Sequence, residues 1–229
     1  MIGRGHHVSI HSRRSGRGPA LITGLILSWL ATSAMAHPHG WVDYRVTVMV
    51  DDHQRVTALK QSWKMDPFQS LTMIEGLESA EGHESMPERL DALGHEIAAN
   101  LPSQHYLTHV YDGDQELALG GIEDYTTRLN NDRVEFSFIL TLAKPQPLSE
   151  TLSWKIYDGT YFIEFLYDDQ TEYPIELVNA PARCHGEVTH ADPDPAVVAS
   201  VSVIDVTGDT PEGVGRLFSD TGGIKCPAS

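Results

Sequence analysis

Apolar and polar residues alternate along much of this 229-residue chain, and this period of two predicts β-strands. The two clearest runs are residues 42–50 and 134–140. Side chains of a strand point alternately to its two faces, so each run has one apolar face that must be buried. Shorter runs of the same kind follow at 152–157, 161–167 and 172–177. Many short strands separated by turns predict an antiparallel architecture rather than a helical bundle.

Residues 66–101 break this pattern and predict two helices. The first is expected to begin at Pro67 with Asp66 as its N-cap. Its predicted apolar stripe consists of Phe68, Leu71, Ile74 and Leu77. The second is expected to begin after Ser85, and its predicted buried face consists of Leu90, Leu93, Ile97 and Leu101. The expected fold is therefore α+β: mainly an antiparallel β sandwich or open barrel, with a two-helix insertion after the second strand.

Two turn sequences predict β-hairpins. Residues 112–114 (Asp-Gly-Asp) would join a strand at 105–111 to one at 115–119. Asp158-Gly159 would join the runs on either side of it.

Residues 1–36 predict a secretory signal peptide that is cut after Ala36. They contain four arginines and no acid, followed by an apolar run at 20–30 and small residues at 34 and 36. The run is shorter than the ~20 residues of a membrane span, so the mature protein is expected in the periplasm and not across the membrane. Removing the four arginines leaves 12 basic and 32 acidic residues, a formal charge of −20. Such a charge excludes nucleic acid as a partner, because phosphates would be repelled.

The two cysteines, Cys184 and Cys226, are expected to form a disulfide, since export brings them into an oxidising compartment. This bond would tether a linker and C-terminal segment at 191–229 to a β-rich domain at 37–190.

Signal cleavage would expose His37-Pro38-His39 at the new N-terminus. His37 would then offer its imidazole and its α-amine, whose proton a metal displaces readily because its pKa is about 7.7. His39 adds a second imidazole. Pro38 has no backbone N–H, which blocks the copper/nickel mode that uses deprotonated amides. This start therefore predicts a metal site of side-chain and amine nitrogens.

Further ligands are predicted at His105, His109 and Asp66. In an extended strand the two histidines would lie about 13 Å apart, so only a helical or bent backbone lets them share one ion. Asp66 suits the N-cap role and would serve as an oxygen ligand only if the fold brings it near His37. Motifs of hydrolases, zinc peptidases and phosphate-binding loops are absent from the sequence, so a binding protein is expected rather than an enzyme.

Four segments resemble domain-of-unknown-function family 1007: AHPHGWVDYRVTVMVDD, WKMD, YDGTYFIEF and APARCHGEV. The resemblance implies a periplasmic protein associated with a zinc-type or nickel/cobalt-type transport system. The expected function is to bind a divalent transition metal, zinc first and nickel or cobalt second, and to deliver it to an inner-membrane permease. Two alternatives stay open: a secreted copper enzyme with an N-terminal histidine brace, and a transporter subunit without a metal.

Overall fold

The computed structural model describes residues 38–201 and 213–227. The strands in this part of the chain are β1 (Gly40–Val50), β2 (Arg55–Met65), β3 (Thr108–Asp112), β4 (Gln115–Glu116), β5 (Leu119–Asn130), β6 (Arg133–Pro147), β7 (Leu152–Ile156), β8 (Ile163–Tyr167), β9 (Ile175–Val178), β10 (His185–Thr189) and β11 (Thr221–Lys225). The helices are α1 (Pro67–Ser79), α2 (Met86–Asn100), α3 (Pro195–Val201) and α4 (Gly215–Phe218), and a 3-10 segment, Leu101–Leu107, follows α2. Among these residues no helix is long and apolar enough to cross a membrane.

The strands form two sheets. The first has the order β5-β6-β2-β1-β8, with β9 also pairing with β1, and the second has the order β10-β11-β7-β3-β4. Strands β8 and β9 run parallel to β1, and the other pairs are antiparallel. This architecture confirms the predicted α+β fold, mainly antiparallel, with two helices inserted after the second strand.

One apolar core contains residues from both sheets. Tyr44 and Phe136 from the first sheet and Trp154 from the second are each at most 1% exposed. The Tyr44 and Tyr167 rings pack with centroids 4.2 Å apart. Trp154 Nε1 donates a hydrogen bond to the Tyr167 hydroxyl at 3.0 Å, so the buried polar atoms of these aromatics are satisfied.

The predicted stripe of α1 is wrong at two of its four positions. Phe68 is 75% exposed and Leu71 is 52% exposed. The helix instead faces the first sheet through Ser70, which is fully buried, donates to the Met65 carbonyl and accepts from the Val134 amide. Ile74, one turn later, is partly buried against the core as predicted. A buried serine thus sets the orientation of α1, and apolar spacing alone does not reveal this.

The buried face of α2 is confirmed. Leu90 is buried, and Leu93 and Ile97 are partly buried against the core. Leu101, which begins the 3-10 segment after α2, is buried as well. The helix lies very close to β5, because a Cβ at Gly94 would be only 2.2 Å from Thr127 Oγ1.

The hairpin predicted at Asp158-Gly159 is wrong, because β7 and β8 belong to different sheets. The Asp158 carboxylate accepts hydrogen bonds from the Thr160, Phe162 and Ile163 amides at 2.9–3.2 Å. Tyr161 within this turn has φ = 57°. The turn therefore carries the chain from one sheet to the other.

The disulfide between Cys184 and Cys226 is confirmed. It joins the start of β10 to the end of β11, next to the register pair His185 and Lys225. Strand β11 lies between β10 and β7, so the C-terminal segment contributes an interior strand of the second sheet.

A buried carboxylate, Glu135, lies at the outer face of the first sheet and is 1% exposed. Burial would raise its pKa, but hydrogen bonds from Asn130, Ser62 and Arg128 outweigh it and lower the pKa of Glu135 below its usual value.

Candidate metal centre

The site is built on an unusual bend between α2 and β3. His105, Tyr106 and Leu107 have φ values of 52°, 56° and 50°, three consecutive residues in the left-handed region. For residues other than glycine this conformation costs on the order of 1 kcal/mol each, so surrounding contacts must hold it. Thr108, fully buried, donates from Oγ1 to the Tyr106 carbonyl, and the Tyr157 amide donates to the Leu107 carbonyl. The strand predicted to begin at 105 therefore begins only at Thr108.

This bend folds the chain just before β3 so that His105 lies next to His109. Their ring centroids lie 4.9 Å apart, far closer than the separation of about 13 Å in an extended strand. The sequence condition for joint ligation, a bent backbone, is therefore met.

Glu116 completes the cluster from the neighbouring strand β4. His109 Nδ1 lies 2.7 Å from Glu116 Oε1, and His105 Nε2 lies 3.4 Å from the same oxygen. One ligand atom from each of the three residues falls within 4.8 Å of the others. The β3–β4 turn produces this placement by pairing Glu116 with Tyr111, two residues after His109 on the same face.

A stacked aromatic ring orients the central ligand. The His109 imidazole lies parallel to the Tyr157 ring, with centroids 4.6 Å apart and an interplanar angle of 8°. The side chain of His109 is 20% exposed, whereas those of His105 and Glu116 are 51% and 45% exposed. The Tyr157 ring thus holds His109 in place, while His105 and Glu116 are open to solvent.

The distances suit a transition-metal ion. Zinc binds imidazole nitrogen and carboxylate oxygen at about 2.0–2.2 Å, which sets tetrahedral ligand atoms roughly 3.3 Å apart. The separations from Glu116 of 3.4 Å and 2.7 Å are near this value, and the shorter one is a hydrogen bond that the ion would replace. Two imidazoles and one carboxylate also leave one coordination position for an exchangeable ligand.

Two other predicted ligands, His39 and Asp66, are not part of this cluster. The His39 ring packs against the Phe162 ring at a tilt of 35°, with centroids 4.5 Å apart, and the His39 amide donates to the Phe162 carbonyl. Asp66 is 2% exposed and caps α1 by accepting from the amides of the residues two and three positions later. Its second oxygen accepts from the Trp41 amide at 3.3 Å. His37 lies outside the described residues, so the N-terminal site stays a prediction.

Sequence reasoning missed Glu116. The signal that identifies it is the hairpin register: once the turn at 112–114 is accepted, an acid two residues beyond it lies on the same face as His109. This inference needs the correct turn length, because a shift of one residue would place Glu116 on the opposite face.

Comparisons with known proteins extend the family resemblance to most of the chain. A family model described as "Protein of unknown function (DUF1007)" matches residues 22–226, a range that contains the three clustered residues and both cysteines. An uncharacterized protein from Haemophilus influenzae is 23% identical over 211 residues, which cover 90% of this chain and 98% of that protein.

Proposed function

We propose that this chain, which belongs to the DUF1007 family, captures a divalent transition-metal ion in the periplasm and passes it to an inner-membrane permease. Zinc is the first choice, and nickel or cobalt the second. The observation that carries the proposal is the convergence of His105, His109 and Glu116. The ion is the cargo of the protein rather than a structural part of it.

The donor set favours zinc over the hard cations. Calcium and magnesium prefer ligand shells of oxygen atoms, whereas two imidazoles with one carboxylate are typical of zinc. Nickel and cobalt also accept imidazole ligands, and so they remain the second choice.

The openness of the site suits transfer. A structural zinc site is closed by four protein ligands, but this cluster supplies three and exposes two of them by about half. A ligand from a second protein could therefore reach the open position and take over the ion. The excess of acids over bases, 32 to 16 in the full chain, favours cations near the surface.

A periplasmic location is supported by two features. The Cys184–Cys226 disulfide is typical of proteins in oxidising compartments. The basic and apolar sequence of residues 1–36 is typical of an export signal.

Isothermal titration of the processed protein with zinc tests the proposal. The variants His105→Ala, His109→Ala and Glu116→Gln should each weaken zinc binding by about 100-fold or more, since even loss of an outer-shell partner costs 10–100-fold. The control is His53→Ala, which removes an exposed imidazole from the β1–β2 turn and should bind zinc like the unaltered protein.

Equal zinc affinity in the three ligand variants and the control would overturn this assignment. A His39→Ala variant adds a second arm. If zinc binding is lost in that variant alone, the ion is held at the N-terminus and the cluster on β3 and β4 is not the site.

A further inference from the structure

We propose that the metal ion reaches this site together with a small carboxylate ligand, which Lys155 and Arg216 hold beside the metal-binding residues. The inference rests on the proposed function, because it names the chemical form of the ion that the His105, His109 and Glu116 cluster accepts. The ligand would bond the ion at the open coordination position and pair its remaining negative charge with the two cations.

The first cation is a direct neighbour of a metal ligand. Lys155 on β7 pairs with His109 on β3 in antiparallel register. Residues opposite each other in such a pair project from the same face, with Cβ atoms about 5 Å apart. Lys155 Nζ donates a hydrogen bond to the Ser219 carbonyl at 2.6 Å, which holds the ammonium on this face.

The second cation comes from the short helix α4. The guanidinium carbon of Arg216 lies 5.8 Å from the ring centroid of Tyr111. Tyr111 is the register partner of Glu116, so Arg216 packs on a ring that neighbours a metal ligand on the same face of the sheet. Burial, and next the charge of Arg216, lower the pKa of Lys155, and the charge of Asp220 opposes this fall only in part. The effect of Arg216 agrees with the two cations lying near each other.

A cavity of about 200 Å³ adjoins both cations and is lined by Tyr111, Ser153, Lys155, Arg216 and Thr221. Asp114 also contributes to its wall. Its dimensions are those of a small acid rather than of a polymer. Hydroxyls of the lining serine, threonine and tyrosine add hydrogen-bond donors for carboxylate oxygens.

Neither cation forms an ion pair with an acid among the described residues, although the charge of the Asp220 carboxylate acts on Lys155. Within residues 38–201 and 213–227, the ion pairs closer than 4.0 Å include neither Lys155 nor Arg216. The chain has twice as many acids as bases, so two adjacent cations without a paired acid are conspicuous.

Two cations beside a metal site repel a divalent metal ion that arrives alone. They favour a metal ion that is already bound to an anion. A carboxylate bound to the ion supplies the missing negative charge. The planar fork of the arginine side chain matches a carboxylate with two parallel hydrogen bonds. The same arrangement explains why three protein ligands suffice, because the anion supplies the fourth.

The test uses cobalt(II) in place of zinc, since its visible absorption reports the ligands of the ion. The processed protein is loaded with cobalt alone and then titrated with malonate. In the unaltered protein malonate should change the cobalt spectrum in a saturable way. Arg216→Gln and Lys155→Gln should bind cobalt at least as well but weaken the malonate response by tenfold or more.

The matched control is Lys225→Gln, which removes the same charge from the same sheet but from a lysine paired with Glu187 at 3.5 Å. It should respond to malonate like the unaltered protein. If all three variants respond alike while cobalt stays bound, the carboxylate subsite is wrong and the metal site stands. If cobalt binds no differently to a Glu116→Gln variant, the metal site itself fails. Arg216 is exposed and its side chain has no described ion pair. The Arg216→Gln variant therefore keeps the test valid if Lys155→Gln does not fold.

Discussion

Replacing Asp66 by alanine should destabilise the protein without changing its zinc affinity. The carboxylate is 2% exposed and accepts hydrogen bonds from the Phe68 amide at 2.8 Å, the Gln69 amide at 2.9 Å and the Trp41 amide at 3.3 Å. Loss of an N-cap costs about 1 kcal/mol, and an amide left buried without a partner costs about 1–3 kcal/mol. We therefore expect Asp66→Ala to lower the free energy of unfolding by about 2–4 kcal/mol.

The assay is thermal unfolding followed by circular dichroism, with zinc titration of the same sample below the transition. For a domain of this size each kcal/mol shifts the melting temperature by about 2–4 °C, so a fall of roughly 4–16 °C is expected. Asp66→Asn keeps an accepting oxygen at the N-cap and should recover at least half of the loss. An unchanged melting temperature in Asp66→Ala would refute the structural role. A folded variant that no longer binds zinc would show that Asp66 is a ligand.

Three further predictions concern stability. Hydrogen bonds lower the pKa of Glu135 in the folded state, so its ionised carboxylate stabilises the protein above the unfolded pKa of about 4.3. This stabilisation is lost as the pH falls through the lower folded pKa, and Glu135→Gln should therefore flatten the acid-induced fall in melting temperature. Reducing the Cys184–Cys226 bond, which spans 42 residues, should lower the unfolding free energy by about 4 kcal/mol, and an unchanged urea midpoint would contradict this. Burial, together with the negative charge of Asp220, raises the pKa of Glu164, so ionisation of Glu164 above its unfolded pKa opposes folding. Glu164→Gln should therefore raise the melting temperature at pH 7 but not at pH 4.

The period-two pattern predicted most of the sheet. Strands β1, β2 and β6 lie where residues alternate, because their inner faces are packed in the core and their outer faces are polar. The start of α1 was equally predictable, since the Asp66-Pro67 capping signal is local and does not depend on distant residues.

Long-range contacts decided what the pattern could not predict. Strands β7 and β8 are joined by the turn sequence of a hairpin, yet β8 leaves the sheet of β7 and pairs in parallel with β1. The face of α1 is set by Ser70, whose partners Met65 and Val134 lie on two different strands. No spacing within the helix records those partners.

The sequence predicted the two histidines of the candidate site but not its carboxylate. His105 and His109 stand out by their spacing, but their approach depends on three consecutive left-handed residues that β-strand propensity would not suggest. Glu116 is one of 32 acids in the chain, and only the register of the β3–β4 hairpin distinguishes it from the rest.

The proposed function requires that His105, His109 and Glu116 bind one metal ion together. Its most direct test is a crystal of the processed protein grown with one equivalent of zinc, with anomalous diffraction recorded at the zinc edge. One dominant peak is expected about 2.0–2.2 Å from the two imidazole nitrogens and the carboxylate oxygen. A dominant peak beside His39 at the start of β1, with none at this cluster, would contradict it.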